Sequence, residues 1–236
     1  MVFEKNLFKA NVSVLAKPLT VEEAIGEPGR RDFPIVEGKE RILEAKFEGA
    51  KGHAFTDSAR EFKGEFREIL DFALNNNQNR AIYTAAMNAV LNYLNLVEET
   101  VHCKNAKPEK CAKDISEKLF KEHGNARIGL IGLNPAIADE LINKFGNQNI
   151  LISDLYKKNI QEGKFPVLDG RDSTEYLIEN SDVIVLTGTS FVNDTFESIY
   201  KIIRQLGKEF YIYGVTAAAL CRIFGFQRLC PYSTNE

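Results

Sequence analysis

The chain has 236 residues, 44% of them hydrophobic and 27% charged, with a formal net charge of −3. That composition belongs to a globular protein with ample core, in one large domain or two modest ones. The slight acidic balance offers no basic surface for a dedicated nucleic-acid binder, and no apolar run approaches the roughly 20 residues of a membrane span. The opening Met-Val-Phe-Glu-Lys-Asn lacks the basic and then apolar order of a signal peptide. Cys103, Cys111, Cys221 and Cys230 show no C-x-x-C spacing, so neither a zinc knuckle nor a disulfide framework is expected. The expectation is a cytoplasmic, reduced protein with no membrane or nucleic-acid partner.

The first thirty residues hold apolar patches around Leu7-Phe8 and over residues 12–16, then a turn at Glu27-Pro-Gly-Arg30. Residues 34–40, 42–47 and 52–56 show partial alternation with glycine breaks, which predicts a small antiparallel sheet. His53 falls inside it and reads as a surface or hydrogen-bonded histidine. Phe66, Ile69, Leu70, Ala73 and Leu74 recur at helical spacing, predicting a helix over about 64–75. Residues 75–79 form a polar connection, and residues 80–97 a longer helix with a broad apolar face from Ala81 to Leu94. Off that face run Thr84, Asn88, Asn92 and Asn95. A polar stripe without charge is either a solvated edge or the wall of a cleft.

Residues 98–107 join the halves. Pro108 opens a helix in which Cys111, Ile115 and Leu119 align, so Cys111 reads as core. His102-Cys103, with Cys111 nearby, could supply soft metal ligands, although such a pair in a linker is ordinarily incidental. Residues 127–154 organise the second half of the chain. Ile128, Leu130 and Ile131 make a buried strand, Asn134 caps a helix that Pro135 begins, and Gly146 ends it. The turn holds Gly129 and Gly132 but not a full G-x-G-x-x-G, which counts against a dinucleotide. Asp154 ends the second strand about where a dinucleotide fold places its ribose-binding acid.

Further strands are expected at 165–168, 182–186, 210–213 and 227–230. Asp172 with Glu175 forms a capping box for one intervening helix, and Asn193 or Ser190 caps the next. Cys221 lies in an apolar helix and reads as inert, whereas Cys230 is placed to face the crevice. Strands alternating with helices predict an α/β fold with a doubly wound parallel sheet. The division expected is 1–98 for a smaller α+β domain and 99–236 for the parallel one.

Three strand-to-helix transitions would meet at the carboxyl edge of that sheet: Gly132-Leu-Asn134, Thr187-Gly-Thr-Ser190 through Asn193, and Gly214-Val-Thr216. Each is an ordinary cap by itself. As a set, Gly132, Asn134, Thr187, Gly188, Thr189, Asn193 and Thr216 suit a phosphate, carboxylate or other oxyanion held without lysine. No Ser-His-Asp order, H-E-x-x-H, Walker loop or paired-carboxylate signature is present.

Several segments occur in one order: Lys51-Gly-His-Ala-Phe-Thr-Asp57, Phe62-Lys-Gly64, Arg80-Ala-Ile with Ala85-Ala-Met-Asn-Ala89, Gly129 through Ala136, Thr187-Gly-Thr-Ser190 with Val192-Asn193, and Cys230-Pro-Tyr232. Over about residues 34–232 the chain resembles the family called the putative heavy-metal chelation domain, domain of unknown function 364. The resemblance implies an N-terminal unit like the small N-terminal domain of enolase, a Rossmann-like C-terminal domain, and an active site between them. By position it marks Gly38-Lys39-Glu40, Phe55-Thr56, Asn88, His102-Cys103, Asn134-Pro135, Asp154, Thr187-Gly188-Thr189, Asn193, Thr216 and Cys230. It turns Asn88 towards the crevice, and it raises Lys39 and Glu40, which spacing alone leaves as a solvated charge pair.

Two functions are implied. One is a chelation protein whose cleft holds a heavy or transition metal, with His102, Cys103, Cys230 and Glu40 as ligands. The other is an enzyme on a small anionic or nucleotide-like substrate, with Lys39, Glu40 or His102 handling protons. A scaffold without chemistry is a third class. A homodimer is permitted.

Overall fold

The structure is a computed structural model and describes residues 12–156, 158 and 164–235, so the Leu7-Phe8 patch lies outside it. Two sheets with different sequence logic divide the chain. The first is antiparallel, with spatial order β3-β2-β1-β4: β1 (Ser13–Pro18), β2 (Arg41–Phe47), β3 (Ala50–Thr56) and β4 (Phe62–Glu65). Around it lie α1 (Val21–Ile25), α2 (Pro34–Glu37), α3 (Phe66–Leu70) and α4 (Asn77–Tyr93). The β2–β3 hairpin turns at Glu48 and Gly49, both at positive φ.

One face of this sheet packs on α4. Val14, Ala16, Leu43, Ala45 and Ala54 meet Ala81, Ile82, Ala85, Ala86 and Ala89 in a common core. Small residues on both sides let strand and helix approach closely. At Gly52 an added Cβ would stand 2.3 Å from both the Ala85 carbonyl oxygen and the Ala89 nitrogen. Neither is a side chain that could swing away. Gly52→Ala is therefore expected to cost about 1–3 kcal/mol through overpacking, read as a lower denaturant midpoint. An unchanged midpoint would contradict the close approach.

Three expectations for this half need correction. Residues 34–40 are not a strand: Pro34 occupies the first turn of α2, where its missing N–H costs nothing, and Gly38 ends the helix. The remaining strands come from residues 13–18 and 62–65 instead. The helix expected over 64–75 has only five residues, and Asn76 then caps α4 by accepting from the Asn79 N–H. Residues 77–79 are thus helical, because an asparagine side chain can close a helix as readily as it can extend a loop.

The second sheet is parallel throughout, with order β10-β9-β8-β5-β6-β7. Its strands are β5 (Ile128–Ile131), β6 (Ile150–Asp154), β7 (Val167–Asp169), β8 (Val183–Thr187), β9 (Glu209–Tyr213) and β10 (Arg228–Leu229). The helices are α5 (Lys107–His123), α6 (Pro135–Phe145), α7 (Thr174–Glu179), α8 (Phe196–Gln205) and α9 (Ala218–Phe224). Ile128, Leu130 and Val185 face a core with Ile115, Leu119 and Leu141, while Ile131, Ile184 and Leu186 pack with Leu177, Ile199 and Ile203 on the other side. Both faces are covered, which is why these strands read as unbroken apolar runs. The chain runs outward from β5 in one direction and from β8 in the other, so a crevice opens at their adjoining carboxyl ends.

Asn134 caps α6 as expected, accepting from the N–H groups of Ala136 and Ile137. Two other caps do not hold. Ser173, not Asp172, precedes α7 and makes no side-chain cap bond. Thr195 precedes α8, and Asn193 instead accepts from the Thr195 N–H and hydroxyl. In both places a turn residue nearer the helix took the position.

The antiparallel unit is separate as a sheet but not as a core. Ile25, Phe33, Ile35 and Ile42 pack with Ile115, Leu133 and Ile137 of the parallel domain. The far end of the chain returns as well: Val101 bridges to Thr234, and Asn235 accepts from the Glu99 N–H. Among the described residues no helix is long and apolar enough to cross a membrane.

Candidate functional site

A cleft of about 700 Å³ lies where the carboxyl edge of the parallel sheet faces α2 and the end of β3. Its volume is in the range of small-molecule sites. The three turns picked out from the sequence all reach it, through Gly132 and Asn134, through Thr187, Gly188, Thr189 and Asn193, and through Gly214 and Thr216. Lys39, Glu40, His102 and Asp154 line it too. Asn88, Cys103 and Cys230 do not line it.

Asn88 is fully buried on α4, and it joins the two units. Its amide nitrogen donates to the carbonyls of His53 (2.8 Å), Val215 (3.1 Å) and Thr216 (3.2 Å), and its oxygen accepts from the Ala219 N–H at 2.8 Å. Of the uncharged stripe, Thr84 and Asn88 therefore face protein, while Asn92 is half-buried and Asn95 is exposed to solvent. The Thr216 hydroxyl reinforces the joint by accepting from the Phe55 N–H at 3.0 Å. These bonds fix the back of the cleft.

Six of the backbone donors that the turns offer an anion are already bonded within the protein. The Leu133 N–H donates to Asp154 Oδ2 at 2.6 Å, and the Tyr156 N–H to Asp154 Oδ1 at 2.7 Å. Ala136 and Ile137 donate to the Asn134 side chain, and Thr189 to the Thr187 hydroxyl. The Gly132 N–H donates to the Ser153 carbonyl, and Gly214 to that of Leu229. A carboxylate of the protein thus occupies the place where a Rossmann turn would hold a phosphate. Tyr213 closes the floor, its hydroxyl donating to the Gly132 carbonyl at 2.9 Å.

Glu40 is a strongly perturbed acid of the cleft. Burial, and then the negative charges of Asp154 and Asp57, push its carboxyl from 4.5 up to about 7. His102 is shifted the other way, to about 4, by burial and by His53, so its ring is neutral at pH 7. The His102 ring packs edge-on against Phe55, and its Nδ1 is buried with no partner. Ser153 Oγ, fully buried on the cleft wall, is likewise unpartnered. Ser153 and Asp57 were missed in the sequence. Their only signal is position: Ser153 lies one residue before the end of β6 and Asp57 directly after β3, both strands that reach the crevice.

His53 is buried and held at both ring nitrogens. Nε2 is 3.1 Å from Glu44 Oε2, and Nδ1 accepts from the His102 N–H at 3.1 Å. That pair fixes the backbone of His102, and so its ring's place in the cleft.

The thiols form a separate group. Cys103 and Cys230 both contact Cys111, whose thiol is pushed up to about 12, first by Cys103. Cys111 and burial raise the Cys230 thiol as well. Among the described residues no group of three or more His, Cys, Asp or Glu is placed to hold a metal ion. The set His102, Cys103, Cys230 is therefore split between the cleft and the thiol group and does not fit a resident metal. The expectation that Cys230 faces the crevice needs correction: it is buried beside Cys111, because the chain turns at Pro231 back towards α5.

Residues 114–227 match the model of the family DUF364, described as "Putative heavy-metal chelation". A DUF364 protein of unknown function from Pyrococcus horikoshii is similar in structure, with a TM-score of 0.53 and 18% identity, over 91% of this chain and 77% of its own. A DUF364 protein of unknown function from Desulfitobacterium hafniense DCB-2 aligns with a TM-score of 0.55 and 15% identity, over 78% of this chain and 72% of its own. At these identities the two structures speak to the fold alone. No curated protein matches the chain. The sequence match over residues 114–227 and the shared architecture agree with the resemblance read from the motifs.

Proposed function

We propose that the protein is an enzyme acting on a small molecule held in the cleft, with the Glu40 carboxyl transferring a proton to or from it. The observation that carries this reading is Glu40 itself. A carboxyl near pH 7 is half ionised at neutral pH, which suits it to act as general acid and general base in turn. Ser153 Oγ and His102 Nδ1 are the unfilled polar positions that a ligand would satisfy, and buried groups of this kind ordinarily have a partner. The apolar walls, including Phe33, Ile35, Phe55 and Leu155, would exclude water from the transfer. The neutral His102 is a poor proton donor at pH 7 and serves this reading as a hydrogen-bonding group. Lys39 is exposed at the rim.

Native mass spectrometry with elemental analysis on untagged protein tests this against chelation. The expected result is an organic mass bound to Glu40→Gln, where proton transfer is blocked, that wild type releases or carries in altered form. That mass should be missing from Thr189→Trp, which places an indole in the cleft. A stoichiometric metal lost on Cys103→Ala, with no organic mass in any variant, would overturn the reading in favour of chelation.

A further inference from the structure

We infer that the cleft selects a cationic ligand, a small molecule carrying a protonated amine on an apolar body, in preference to a phosphate or carboxylate. The inference rests on the cleft being the ligand site, as proposed above. Its first support is the balance of charge. Glu40, Asp57 and Asp154 stand close enough for Glu40 to feel both aspartates, and Asp172 and Glu175 add two more acids at the rim. Two cationic side chains oppose them among the described lining residues. Arg171 is already committed, its Nη1 to both oxygens of Asp169 at 2.8 Å and its Nη2 to the Leu155 carbonyl at 2.5 Å. Lys39 is exposed to solvent.

The second support is the state of the donors. The N–H groups of Gly132, Leu133, Ala136, Ile137, Thr189 and Gly214 all end on oxygens of the protein. An anion using these six donors would have to displace those oxygens while facing the carboxyl groups of Glu40, Asp57 and Asp154. The third support points to the ligand directly. Ser153 lines the cleft and its Oγ is buried and unpartnered, so its hydroxyl can accept from an ammonium or other N–H donor, as it could also donate. Aromatic rings of Phe33, Phe55 and Tyr213 in the same lining suit the apolar body and the ring-face attraction of a cation.

Saturation-transfer NMR on the full chain tests the inference with matched probes: tyramine against 4-hydroxyphenylacetate, benzylamine against benzoate, and hexylamine against heptanoate, with inorganic phosphate added as a separate probe. Each pair shares a body and differs in the sign of its charge. Amines are expected to bind about tenfold or more tighter than their carboxylate partners, a difference of about 1.4 kcal/mol. Asp57→Asn, at an exposed position, should weaken the amines by about tenfold, and Thr189→Trp should abolish them, with amide spectra confirming that both variants fold. Carboxylates or phosphate binding as well as the amines, and lost in Thr189→Trp, would overturn the cationic class and leave the cleft as the ligand site. Amine binding that survives Thr189→Trp, or no binding by any probe, would overturn both.

Discussion

Asn88→Ala is expected to destabilise the protein by about 3–5 kcal/mol, the largest loss anticipated for any single polar side chain here. The amide is fully buried and its four contacts span two units: His53 on β3, Val215 and Thr216 in the turn before α9, and Ala219 at the start of α9. Removing it strips a partner from the Ala219 N–H and from three carbonyls in a place water does not reach. Each buried group left unmade costs about 1–3 kcal/mol, and strands and turns can recover part of that. In a chain of this length such a loss lowers the melting temperature by roughly 6–20 °C. Asn88→Asp should be no better, since a carboxylate would face three carbonyl oxygens. Asn92→Ala is the control. Asn92 bonds to the Thr100 hydroxyl and to Asn235 nearer the surface, and its loss should stay near 1 kcal/mol. Equal effects of Asn88→Ala and Asn92→Ala would contradict the role given to the buried amide.

Glu40→Gln should separate activity from stability. A group removed from proton transfer costs about 10²–10⁴ in rate. The same change should stabilise the fold at alkaline pH. The Glu40 carboxyl titrates near 7 in the folded chain and near 4.5 when unfolded. Its raised value means that the folded state favours the protonated form. Its contribution is fully present below pH 4.5, falls as pH rises towards 7, and is absent above. The span corresponds to at most about 3 kcal/mol. Glutamine carries no such dependence. Against wild type, Glu40→Gln should gain about 1–3 kcal/mol between pH 4.5 and pH 8, measured as urea midpoints at several pH values. Other titrating groups, such as Glu44 held near 2 beside His53, are common to both proteins and cancel in the difference. Parallel pH profiles would show that Glu40 is not a shifted acid.

An order of motifs, and the apolar runs of β5, β6, β8 and β9, made the parallel fold legible. Those strands are buried on both faces, so every residue in them reports its surroundings, and Asn134-Pro135 marks the following helix by local chemistry alone. The antiparallel sheet was half legible. Strands β2 and β3 showed alternation, but β1 and β4 are short, and residues 34–37 look extended while Pro34 makes them a helix. Caps at α7 and α8 were misplaced because several hydroxyl and amide residues adjoin each start, and only the backbone path chooses among them.

What the sequence by itself determined is the doubly wound sheet and the three turns at its carboxyl edge. Hydrophobic period and cap chemistry are local properties of the chain. What only the tertiary structure decided is the character of the site. That Asp154 accepts from the Leu133 N–H, that Asn88 points into the joint instead of the cleft, and that Glu40 meets Asp57 and Asp154 all depend on pairs far apart in sequence. Charge and hydrogen bonding act over a few ångströms in space, and no spacing along the chain records which groups the fold brings within that reach.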